Sequence, residues 1–133
     1  MTKNNHFFGL GRRKSSTARV RLTSGKGDFV VNDKSATDYF SGSNRFLKAL
    51  EKPFSSLELK PDAYDVSVKL RGGGHSSQVD AINLGVSKAL AELNPDFKAT
   101  LKRAGMLGRD PRERERKKAG FLSARKKRQY TKR

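Results

Sequence analysis

The sequence predicts an α+β domain of two layers, with helices packed on one face of a sheet, followed by an extended basic C-terminal tail. Three observations carry that prediction. Residues 16–23 and 64–70 alternate apolar and polar side chains with the period of a half-buried strand. Residues 77–93 carry a single apolar stripe at helical spacing. Charge is segregated as well: residues 1–100 hold 16 Lys and Arg against 10 Asp and Glu, whereas residues 101–133 hold 14 against 3. The expected division is a globular domain over residues 1–105 and a basic arm over residues 106–133.

The elements follow in order. In Ser16–Thr23, Ala18, Val20 and Leu22 share one face and Arg19 and Arg21 the other, so the strand has a basic outer face. Gly25-Lys26-Gly27 is a turn, and Asp28–Val31 reads as the return strand of a hairpin, ended by Asn32-Asp33. A short helix is expected near Ser35–Phe40. Another spans Asn44–Phe54, with Phe46, Leu47 and Leu50 at helical spacing and Pro53 limiting its end. Tyr64–Leu70 places Val66, Val68 and Leu70 on one face of a strand.

Gly72-Gly73-Gly74 leads into the strongest helix, Ser77–Leu93, whose stripe is Val79, Ile82, Val86, Ala89, Leu90 and Leu93. Asn94-Pro95 breaks it. A second helix covers Asp96–Ala104, with Asp96 as candidate cap, Phe97 and Leu101 inward, and Gly105 at the stop position. In the arm, Asp110-Pro111-Arg112-Glu113 has the form of a capping box that starts one or two helical turns. Beyond it the apolar residues Phe121, Leu122 and Tyr130 keep no period. From Arg112 to Arg133 there are 22 residues, a reach of roughly 70 Å at about 3.3 Å per extended residue. So little apolar surface cannot offset an ordering cost of about 1–2 kcal/mol per residue, so the arm is expected to order only on a partner.

Composition narrows the function. A net charge of +17 on 133 residues calls for a polyanion, which a nucleic acid or an anionic membrane supplies. There are no cysteines, hence no disulfide framework and no thiolate metal site. No apolar run reaches the roughly 18 residues of a membrane span, and the start lacks the pattern of a secretory signal. A soluble, cytoplasmic protein is the expectation.

Catalytic apparatus is not visible. His6 and His75 have no metal-ligand spacing around them, no serine sits in a nucleophile elbow, and no pair of carboxylates stands apart for acid–base work. Neither cofactor nor metal nor small-molecule substrate is expected. Gly9-Leu10-Gly11-Arg12-Arg13 and Gly72-Gly73-Gly74 resemble phosphate cradles but lack the Gly-Lys-Ser/Thr of a nucleotide-binding P-loop. Either a phosphate contact or a plain strand-to-helix turn fits Gly72–Gly74, with Arg71 beside it. Arg12-Arg13-Lys14 and Arg125-Lys126-Lys127-Arg128 are basic clusters suited to phosphates, since arginine grips phosphate with paired donors. Tyr130, between Arg128 and Lys132, can stack on a base, pack on a sugar or stand in solvent. A basic α+β domain with a nucleic-acid-seeking arm is as far as these residues lead. A nucleoid-type DNA-binding protein and a small-molecule kinase are the rival classes.

Order and spacing of motifs say more. Gly11-Arg12-Arg13-Lys14 precedes Ala18-Arg19-Val20; Val31-Asn32 and Asp38-Tyr39-Phe40 follow; then come Arg71-Gly72-Gly73-Gly74 with Gln78, and Lys88-Ala89-Leu90. The end reads Lys102-Arg103-Ala104-Gly105, Arg109-Asp110-Pro111-Arg112, Glu115-Arg116-Lys117-Lys118, Ala124-Arg125-Lys126 and Gln129-Tyr130-Thr131-Lys132-Arg133. In this the chain resembles, over nearly its whole length, the bacterial-type small-subunit ribosomal protein nine (S-nine) family.

The resemblance implies a mixed sheet like that of the second domain of ribosomal protein S-five, with a left-handed crossover. It implies binding to small-subunit rRNA in the head, neighbouring head proteins as partners, and a tail reaching the anticodon stem-loop of the peptidyl-site tRNA. Carried over by position, the tRNA contacts fall on Lys132 and Arg133, with Arg128 beside them. The rRNA contacts fall on Arg12, Arg13, Lys14, Arg71, Gly72, Gly73, Gly74, Arg109, Arg112, Arg116, Lys117, Lys118, Arg125, Lys126, Lys127 and Tyr130. There are departures: Tyr130-Thr131 stands where the family usually has Phe-Ser, Arg71 where Lys is common, and Asn83 and Lys88 where arginines are frequent. Met106-Leu107-Gly108 replaces the usual Leu-Leu-Thr and removes a hydroxyl.

Overall fold

The alternation of Ser16–Ser24 (β2) and Tyr64–Arg71 (β5) sets the centre of the sheet. The two strands pair antiparallel with Val20 opposite Val68 and Leu22 opposite Val66, so their apolar faces coincide. The computed structural model describes residues 6–109, 111, 112 and 119. Phe7–Arg13 (β1) joins β2 on its other side through the turn Lys14-Ser15, and Phe29–Val31 (β3) runs parallel to β5 with Lys34–Ser35 (β4) at its edge. The result is a mixed five-stranded sheet in the order β1-β2-β5-β3-β4.

Helices Ala36–Tyr39 (α1), Asn44–Leu50 (α2) and Lys52–Ser56 (α3) carry the chain from β4 to β5. His75–Leu93 (α4) and Pro95–Arg103 (α5) follow β5. The apolar stripe of α4 lies on β1 and β2, and Phe40, Phe54, Leu22, Ile82, Leu90 and Leu101 are buried at the centre of the core. Each such side chain contributes about 1.5–3 kcal/mol on burial. The α+β expectation holds, with a mixed sheet packed against helices.

Several local expectations are corrected. Asp28–Val31 is not the return strand of a hairpin with β2. Both edges of β2 are taken, by β1 and β5, and β3 instead pairs with β5. Asp65 accounts for the diversion: its Oδ1 accepts the N–H groups of Lys26 (2.9 Å), Gly27 (3.1 Å) and Asp28 (3.0 Å), which carries the chain past β5. Asn32 then locks the far end. Its Oδ1 accepts the Leu70 N–H (2.8 Å) and its Nδ2 donates to the Leu70 carbonyl (3.2 Å).

Gly9 and Gly11 are no phosphate cradle. They lie in β1 against α4, where a Cβ on Gly9 would overlap the Gly85 carbonyl oxygen and one on Gly11 the Ala81 carbonyl oxygen. The expected helix over residues 44–54 is two helices, broken at Glu51, and Pro53 sits in the first turn of α3, where its missing N–H costs nothing. Asn94, not Asp96, caps α5: its side chain accepts the Asp96 N–H (3.0 Å) while Pro95 takes the first helical position. Gly105 ends that helix at φ +74°, as expected. The capping box at Asp110–Glu113 involves residues outside those described.

Candidate nucleic-acid interface

Because helices cover one face of the sheet, the residues alternating with the core form an open face. Strand register places them in three rows. Phe8, Arg21 and Ser67 make one, Leu10, Arg19 and Lys69 the next, and Arg12, Thr17 and Arg71 the last. Rows are about 6.6–6.8 Å apart along the strands and neighbours about 4.8 Å apart across them. Five of these nine residues are cations and none is acidic. Among the described residues no carboxylate comes within ion-pair distance of Arg12, Arg19, Lys69 or Arg71. Arg21 is steadied by His6, its Nε donating to Nδ1 at 3.1 Å. Asp65, next along β5, is engaged with the turn at residues 26–28, and its amide donors, Asp28 foremost, hold its carboxyl below the usual carboxylate range.

At one end of this face the two basic and glycine-rich motifs meet. The β1–β2 turn, with exposed Lys14 at φ +53°, lies beside the β5–α4 loop. Gly72 (φ +79°) and Gly73 (φ +70°) adopt backbone conformations that L side chains rarely take, and a Cβ on Gly73 would overlap Ser16 Oγ. Buried Ser16 and Gln78 both donate to the Gly72 carbonyl, each at 3.0 Å, and Ser77 donates to the Gly74 carbonyl (3.0 Å). Tyr39 donates to Gln78 Oε1 (3.0 Å) and orients it. This loop is therefore fixed before any partner arrives, with Arg12, Lys14 and Arg71 exposed around it. His75 opens α4 with its ring against Tyr39, Phe40 and Phe46. A packing role accounts for it.

Arg13 differs from its neighbours. Its side chain is only 15% exposed, pairs with Asp80 at 3.5 Å and donates to the Arg112 carbonyl at 3.0 Å. It ties β1 both to α4 and to the root of the arm. Arg109 and Arg112 lie at that root, exposed, and Arg112 lines a cleft of about 520 Å³ together with Arg12, Arg13, Lys52 and Asn83. Within the cleft Asn83 donates to the Ala49 carbonyl (2.9 Å), so the residue that stands for a frequent arginine is an internal clamp.

Arg116, Lys117, Lys118, Arg125, Lys126, Lys127, Arg128, Tyr130, Lys132 and Arg133 lie outside the described residues. Phe8, Leu10 and Lys69 were not among the candidates read from the sequence. The signal for Phe8 and Leu10 is the alternation of Phe7–Arg13, which the glycines at 9 and 11 obscure by removing inward side chains, and the signal for Lys69 is the alternation of Tyr64–Leu70.

Comparison with known proteins identifies the family. Residues 11–133 match the family described as ribosomal protein S9/S16. The chain is 49% identical over 127 residues to the small ribosomal subunit protein uS9 of Picosynechococcus sp., covering 96% of this chain and 92% of the relative. It is 50% identical over 127 residues to the uS9 protein of Mycoplasma mobile, covering 96% of each.

Proposed function

The chain belongs to the ribosomal protein S9/S16 family, a structural and non-enzymatic part of the small ribosomal subunit, and from that premise we propose how it works there. Residues 1–105 act as an rRNA-binding domain and residues 106–133 as an extended basic arm. Arg12, Lys14, Arg71 and the prearranged Gly72–Gly74 loop take rRNA phosphates at one end of the sheet. Arg109 and Arg112 start the arm along the RNA, and its later cations continue it. Lys132 and Arg133, with Arg128 behind them, reach the peptidyl-site tRNA and place cationic donors at its phosphates without reading bases, so that every tRNA is accepted.

One observation carries this reading best. The two motifs that the sequence keeps about 60 residues apart, Arg12–Lys14 and Arg71–Gly74, are brought side by side with Arg12, Lys14 and Arg71 exposed. Charge supports the arm's part, since the last 33 residues hold 14 of the 30 Lys and Arg. Deleting Lys132 and Arg133 is expected to leave subunit assembly intact and to weaken tRNA binding at the peptidyl site. Subunits carrying the deletion that bind tRNA normally would remove the proposed role of the tip.

A further inference from the structure

We propose that the open face of the sheet docks a single-stranded segment of RNA, with one unpaired base stacked on Phe8 and the phosphates flanking it on Arg19, Arg21 and Lys69. The inference rests on the rRNA-binding reading and names a surface that reading leaves unassigned.

Charge complementarity identifies the occupant. Arg19 stands directly opposite Lys69 across β2 and β5, an arrangement of like charges that destabilises a sheet standing alone. No carboxylate among the described residues relieves it, and the one next along β5, Asp65, is already occupied by three backbone donors. A polyanion laid across the rows removes the repulsion.

The apolar part narrows the class further. Phe8 is 62% exposed and Leu10 42%, and these are the exposed large hydrophobic residues of the described chain. Phe8 lies across from Arg21, which His6 steadies. The Glu92 carboxylate accepts the Phe8 N–H (3.3 Å), so the edge of β1 is answered from α4 while the ring stays free on the open face. An aromatic ring set among cations on a sheet is the arrangement that recognises unpaired RNA: bases stack on the ring and phosphates meet the cations. An acidic protein surface would satisfy the charges but would leave the ring without a stacking partner.

Ultraviolet crosslinking of the full chain within small subunits, with sites mapped to the residue and the nucleotide, tests this. The expected result is a crosslink from Phe8 to an unpaired rRNA nucleotide. Phe8→Tyr keeps it, and Phe8→Leu, which stays apolar but loses the ring, lowers its yield about tenfold or more. Lys69→Ala combined with Arg19→Ala lowers it as well. Since Phe8 is exposed, an unchanged unfolding midpoint certifies that Phe8→Leu has folded. No rRNA crosslink at residue 8, or one to a neighbouring protein, overturns this assignment alone provided that residues 12–14 or 71–74 still crosslink to rRNA. Absence of rRNA crosslinks from the whole chain overturns the rRNA-binding reading beneath it.

Discussion

Asp65 does more for the fold than its place on a half-buried strand suggests. One carboxylate oxygen collects three consecutive amide donors from residues 26–28, and those bonds hold the turn that leads the chain across the end of β5 into β3. The bonds favour the ionised form, so the pKa falls below 3.8, with the Asp28 amide the largest cause and burial working against it. A depressed folded-state pKa means stability that is present above the unfolded value and lost as pH falls through the folded one. Asp65→Asn is therefore expected to be less stable than the wild type at neutral pH, and the gap should close as pH drops below about 4. Unfolding midpoints measured from pH 7 to pH 2 check this; a constant gap would contradict it. Nothing local in the sequence reveals the role, because the donors lie nearly 40 residues away. The alternation of Val66, Val68 and Leu70 was legible without it, since period two needs only neighbours.

The same contrast between local and distant information holds for whole elements. Helix α4 could be read from its stripe alone, and β2 and β5 from their alternation, because each buries one face and writes that face into its own period. Strand β1 could not. Its two central inward positions are Gly9 and Gly11, and a pair of glycines looks alike whether it approaches a phosphate or a helix backbone. The structure shows the second: α4 packs so closely on β1 that the helix carbonyls of Ala81 and Gly85 occupy the space of a Cβ. Gly85 returns the relation, with Val20 Cγ2 2.5 Å from where its own Cβ would stand. Gly11→Ala must therefore push a helix backbone away from the sheet, an overpacking that costs about 1–3 kcal/mol. Chemical denaturation would show a lower midpoint with the same slope, and an unchanged midpoint would refute the account of why β1 is glycine-rich.

At the scale of the molecule, the proposed function has the body and the arm divide the work that a charge of +17 implies. The fold turns helices to one side of the sheet and cations to the other, and it gathers Arg12, Lys14 and Arg71 around a rigid loop. Sequence alone supplied most of those cations as candidates, because basic clusters are visible without coordinates. It could not show that Arg13 pairs with Asp80 and donates to the Arg112 carbonyl, nor that Lys69 and Phe8 share a face. The most direct test of the two-part account is protein–RNA crosslinking in cells with both partners mapped. The account predicts crosslinks from the body to small-subunit rRNA and from Lys132 and Arg133 to tRNA anticodon stems. Crosslinks scattered over many unrelated RNAs, or a chain absent from ribosomal particles, would contradict it.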